Sequence, residues 1–112
     1  MVDPKYIPRK GDLLWLNFTP QTGHEQAGKR PVIVLSPLEY NKKTSLMIVC
    51  PITSKVKGYP FEVPVRAHQI EGVVLSDQIK SLDWRTRKVS FIEKASTEIL
   101  EDVQEKLLLL IG

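Results

Sequence analysis

The feature that most constrains this chain is a succession of short apolar runs, rich in Val, Ile and Leu, which proline and glycine stop before any could complete a long helix. GDLLWLNFTP, from Gly11, closes at Pro20. PVIVLS, Pro31 to Ser36, closes at Pro37, and SLMIVCPI follows from Ser45 to Ile52. FEVPVR, Phe61 to Arg66, sets Phe61, Val63 and Val65 against Glu62, Pro64 and Arg66, a half-buried strand that Pro64 assigns to an edge. GVVLS, Gly72 to Ser76, and RKVSFI, Arg87 to Ile92, complete the series. The unbroken apolar character of PVIVLS suits a strand covered on both faces or a barrel stave. Short strands separated by turn signals make a mostly β chain, a small barrel or sandwich.

LEYNKKT, Leu38 to Thr44, has room for one helical turn, and the only full helix is expected at the end. There Ser96 can cap, Glu98, Glu101 and Asp102 suit the positive end of the helix dipole, and Ile99, Val103, Leu107 and Leu110 recur at helical spacing. Leu107 to Ile111 is apolar all round, so its second face is either covered by the rest of the domain or lies at a subunit contact.

A chain of 112 residues has room for one core, so residues 1–112 are read as a single domain. A composition 42% hydrophobic and 26% charged excludes disorder and fibrous repeats. The net charge of +3 is too small to name a partner, but it is unevenly placed. Residues 1–92 carry fourteen Lys and Arg against eight Asp and Glu (+6), and residues 93–112 carry two against five (−3). Cys50 is the only cysteine, which excludes an internal disulfide, fits a reducing cytoplasm and, inside an apolar run, reads as core. No run approaches the roughly 20 apolar residues of a membrane span, and MVDPKYIPRKGD lacks the apolar stretch of a secretory signal. A soluble cytoplasmic protein is the expectation.

His24 and His68 stand 44 residues apart and no acid–histidine cluster has ligand spacing, so neither a metal site nor a cofactor is expected. A nucleophile elbow and a P-loop are absent as well. Polar side chains gather instead in three connections. Glu25, Gln26, Lys29 and Arg30 occupy the first, Thr53, Ser54, Lys55 and Lys57 the second, and Asp77, Gln78, Lys80 and Trp84 follow GVVLS. Each is ordinary for a solvated loop. Together, an arginine fork that fits phosphate oxygens and lysines alternating with a tryptophan suit a single-stranded nucleic acid. Trp84 reads equally as core or as a stacking platform.

Four strings in order, EQAGKRPVIVLSPLEYN from Glu25 to Asn41, KGYPFEV from Lys57 to Val63, DQIKSLDWR from Asp77 to Arg85 and the terminal LLIG, resemble the MazF/PemK family of bacterial toxin endoribonucleases, close to its MazF branch. The resemblance spans essentially the whole chain. It implies a Src-homology-3-like barrel of the MazF/CcdB type with a C-terminal helix, a homodimer, and cleavage of single-stranded mRNA at a short recognition sequence. It implies a MazE-type antitoxin whose acidic tail crosses the dimer groove, and contact with operator DNA only as a complex with that antitoxin.

The implied chemistry is a metal-free transesterification in which the ribose 2′-OH attacks the adjacent phosphate, leaving a 2′,3′-cyclic phosphate and a 5′-OH. By resemblance Arg30 holds the phosphorane oxygens and helps protonate the leaving group, Thr53 donates to a non-bridging oxygen, and Glu25 is the general base. Gln26, Lys29, Ser54, Lys57, Asp77, Gln78, Lys80 and Trp84 are expected to contact RNA. PemK-type relatives carry an arginine two residues before the aspartate of this motif; Leu75 stands there instead, which speaks against an Asp/Arg acid–base pair centred on Asp77 and for Arg30 with Thr53 as the catalytic pair. Two other readings stand beside the nuclease. One is a CcdB-like gyrase-binding toxin, against which the LLLLIG ending and the Arg30/Thr53 pair speak; the other is a non-catalytic RNA-binding barrel.

Overall fold

The computed structural model describes residues 5–18 and 28–112. Asp12–Phe18 forms β1, Gly28–Val34 β2 and Leu46–Thr53 β3, with helix α1, Leu38–Thr44, between the last two. Glu62–Ala67, Ile70–Leu75, Lys80–Asp83 and Ser90–Lys94 are β4 to β7, and Thr97–Ile111 is helix α2. Every pairing is antiparallel, and the strands neighbour in the order β4-β5-β3-β2-β1-β7, with β6 also on β3. The sheet is curled into a half-barrel: the His68 N–H, in the turn after β4, donates to Glu93 Oε1 on β7 (2.7 Å), joining the two ends of the strand order.

β3 carries the curl. Leu46 to Val49 pair with Asp83 to Lys80 of β6, whereas Ile52 and Thr53 pair with Val74 and Val73 of β5. Pro51 stands at this fork. The Leu35 N–H to Ile48 O bond (2.8 Å) sets the phase of the ladder, so the Pro51 nitrogen faces away from β2, toward the gap between β5 and β6. A residue without an N–H leaves no donor unmet there.

Successive side chains of β1 to β3 enter opposite layers. Leu13, Ile33, Cys50 and Ile52 pack with Val63, Val74 and, from α2, Val103. Leu14, Leu16, Val32, Val34, Met47 and Val49 form the second layer with Trp84 and Val89. The expectation that PVIVLS is covered on both faces therefore holds, as does the core position of Cys50. Burial, with a smaller contribution from the Asp77 charge, pushes the Cys50 thiol up to about 12, so it is not a thiolate at neutral pH.

Buried polar groups tie the layers together. Asn41 Nδ2 donates to Pro8 O (2.8 Å) and Ser36 O (3.1 Å), Ser36 Oγ donates to Asn41 Oδ1 (2.5 Å), and Trp84 Nε1 donates to Asn41 O (2.8 Å). Asp12, also buried, accepts from the Tyr6 hydroxyl and the Arg9 N–H (3.0 Å) and pairs with Lys94 Nζ (2.8 Å). Burial and then the bond to Asp12 hold the Tyr6 phenol well above its ordinary value.

Several elements differ from the sequence expectation. α1 spans seven residues rather than one turn, β7 begins at Ser90 rather than Arg87, and β6 was not expected at all. Glu62, expected to face outward, is buried. Ser96 caps α2 as expected, its Oγ accepting from the Ile99 N–H (3.2 Å), and Val103 is buried with Ile99, Leu100 and Leu107 packed beside the core. Leu110, expected on the packed face, is exposed together with Leu108, Leu109 and Ile111. Among the described residues no helix is long and apolar enough to cross a membrane.

Candidate active site

Alternation places Arg30 on the face of Val32 and Val34, and Thr53 on the face of Met47 and Val49; both are the face of the second layer. Arg30 pairs with Leu16 of β1. The β2–β3 register runs Val34↔Val49, Ile33↔Cys50, Val32↔Pro51 and ends there; Arg30 lies two residues beyond it on β2 and Thr53 two residues beyond it on β3, at the same end of the antiparallel pair. Both side chains are half-buried at the rim of that layer. The Thr53 hydroxyl oxygen accepts the Lys55 N–H (3.1 Å) and so keeps its proton to donate. A permanent cation and a hydroxyl donor thus stand at one end of a strand pair, a combination suited to the oxygens of a phosphate.

The other expected residues lie on β2 and β6, in the connections after β3 and β5, or outside the described residues. Lys80 pairs with Val49 in β6, on the same face and roughly 13 Å along the strand from Thr53 at about 3.3 Å per residue. Asp77 and Gln78 are exposed in the turn between β5 and β6, which lies beside the fork at Pro51: the Gln78 N–H donates to Leu75 O (3.1 Å), and Cys50 Sγ donates to Ser76 O (3.9 Å). Ser54 and Lys57 are exposed in the loop that leaves Thr53. Lys29, adjacent to Arg30 on β2, alternates to the opposite face and is exposed near the strand's start. Glu25, Gln26 and His24 lie outside the described residues.

Trp84 requires a correction. It is 8% exposed, its ring belongs to the second layer, its indole N–H is committed to Asn41 O, and the Arg85 guanidinium lies 5.1 Å from its ring centroid. A base has no access to that ring; Trp84 is core. Sequence reasoning also missed Glu62, whose carboxylate accepts the Lys57 and Gly58 N–H groups (3.2 and 3.0 Å) and thereby shapes the loop after Thr53. An alternating strand pattern marks such a residue as outward-facing, so only the fold discloses it. Among the described residues no three His, Cys, Asp or Glu side chains are grouped as a metal site would require.

A curled antiparallel half-barrel with an arginine and a threonine at one rim of its second layer defines a small β protein with a polar face whose chemistry suits anions. Residues 9–111 match the family of PemK-like, MazF-like toxins of type II toxin-antitoxin systems, and the chain belongs to that family. It is 44% identical over 108 residues to the endoribonuclease toxin MazF of Escherichia coli K12, covering 96% of this chain and 97% of that protein. The crystal structure of MazF from Deinococcus radiodurans superposes with a TM-score of 0.87 at 53% identity, over 96% of this chain and 99% of the other. A MazE–MazF structure from the same organism gives 0.88 at 51% identity, over 96% and 98%.

Proposed function

We propose that this chain is a sequence-specific, metal-independent endoribonuclease toxin that cuts single-stranded mRNA and is neutralised by a MazE-type antitoxin. The observation that carries the reading is that Arg30 and Thr53 stand on one face and at the same end of β2 and β3, where a basic loop begins. The relatives named as endoribonuclease toxins and the MazE–MazF structures support the class of reaction and of partner. The active form is a homodimer in the cytoplasm, residues 1–112 acting as one domain, with operator DNA reached only through the antitoxin complex.

The nucleophile belongs to the substrate. The ribose 2′-OH loses its proton to Glu25, the 2′-oxygen bonds to phosphorus, and the bond from phosphorus to the 5′-oxygen breaks. That oxygen takes a proton from solvent while Arg30 hydrogen-bonds to it, Glu25 returns its proton to solvent, and the products are a 2′,3′-cyclic phosphate and a 5′-OH. Charge accumulates on the non-bridging oxygens as the phosphorane forms. Donors already fixed toward that charge lower its energy because they need no reorganisation at the moment of reaction. Arg30 supplies charge and Thr53 one hydrogen bond. Lys57 and Lys80 hold flanking phosphates, while Gln26, Ser54, Asp77 and Gln78 border the strand.

The test is cleavage of a long RNA in EDTA by wild type, Arg30→Ala and Thr53→Ala. Wild type should leave 5′-OH ends, and each substitution should lower kcat on the order of 10² to 10³, as expected for loss of one preorganised donor. Undiminished cleavage by both variants would refute the assignment.

A further inference from the structure

The reading above uses only Lys57 of the KGYPFEV segment, yet the whole loop is built on a buried group. Residues 54–60 are all exposed, but the loop is fixed from below by one buried carboxylate. Glu62, 8% exposed, accepts the Lys57 and Gly58 N–H groups, and its own N–H donates to Tyr59 O (3.1 Å). Gly58 takes φ 83, which an L side chain would adopt only with strain. The result presents Tyr59. Its ring stacks on Phe61 with centroids 5.2 Å apart and planes 14° apart, while half of Tyr59 remains in water.

We infer that Tyr59, backed by Phe61, is a stacking platform for a nucleobase of the single-stranded RNA, and that Glu62 is the positioning residue that sets it beside the Arg30/Thr53 rim. The inference rests on the nuclease reading. Glu62 pairs with Leu75 and Pro64 with Val73, while Thr53 pairs with Val73 from the other side, so Glu62 and Thr53 stand on the same face of the sheet. The loop therefore leaves Thr53 and returns over the face on which Thr53 and Arg30 lie. An aromatic ring whose inner side is already packed offers its exposed side without having to be ordered on binding, and Lys55 and Lys57 flank it as phosphate partners. A base has a π-face whatever its identity, so the platform holds the strand and leaves sequence choice to other groups.

The test uses the full-length protein and an RNA whose cleavage site has been mapped with wild type, carrying 2-aminopurine at successive positions around that site. Tyr59→Ala should raise KM roughly tenfold (about 1.4 kcal/mol) with kcat changed less than about twofold, and should abolish the fluorescence quench at one 2-aminopurine position. Tyr59→Phe, which keeps the ring, should restore both. Glu62→Gln, which keeps the shape but only one acceptor oxygen, should give an intermediate KM with the same kcat. An unchanged KM and quench in Tyr59→Ala would overturn the platform while leaving the nuclease reading intact. So would a Tyr59→Ala defect seen only in antitoxin binding, which would make the loop a protein contact. Absence of RNA cleavage by wild type would remove the nuclease reading and this inference with it.

Discussion

A methyl group on Gly72 would fall 2.2 Å from the Thr53 carbonyl oxygen and 2.8 Å from its carbon. Both atoms are backbone and neither can yield without moving the end of β3. Gly72 thus allows β5 to press against the residue that the proposed chemistry needs in place. Gly72→Ala should lower stability by roughly 1–3 kcal/mol, as overpacking does, and should reduce kcat more than it raises KM because Thr53 moves. Thermal melting and initial rates on one RNA check this; a melting curve and kcat like those of wild type would show that Thr53 tolerates the shift. In the sequence Gly72 reads only as the start of an apolar run. Arg30 and Thr53 are equally plain by residue type, a strand-start arginine and a strand-end threonine, and it is the resemblance of the surrounding strings that singles them out. That they stand at one end of the β2–β3 pair depends on a long-range pairing that no local pattern encodes.

Among the elements, legibility follows local energetics. β2 and β3 are visible because continuous apolar runs are needed where both faces are buried. β6 is invisible because Lys80–Asp83 has no alternation of its own; pairing with Leu46 to Val49 makes it a strand. α2 announces itself by cap and spacing, but where its apolar face ends does not follow from periodicity. Leu108, Leu109, Leu110 and Ile111 are 61%, 85%, 54% and 70% exposed, so the rest of the described chain does not cover that run. Such a cluster at a helix end fits the subunit contact of the proposed homodimer. Leu109→Lys with Ile111→Lys should sediment as monomer at concentrations where wild type is dimeric. A monomeric wild type, or a variant that dimerises as well as wild type, would place the contact elsewhere.

Over the whole molecule, the acidic end of the chain lies apart from the candidate site. α2, with Glu98, Glu101, Asp102 and Glu105 exposed, packs through Val103 on the first layer, across the strands from the face that carries Arg30, Thr53 and Lys80. Positive charge at that face and acid behind it would draw a polyanionic strand to one side of the sheet. The modest +3 total conceals this because the sum cancels what the fold separates. The central claim remains that the face aligns a reaction in which the substrate provides its own nucleophile. The most direct measurement is cleavage, in EDTA, of an RNA carrying 2′-deoxyribose only at the cut nucleotide, beside its all-ribose counterpart. The all-ribose strand should be cut to a 2′,3′-cyclic phosphate and a 5′-OH while the substituted strand stays whole. Cutting of the substituted strand, or loss of all cleavage in EDTA, would contradict the account.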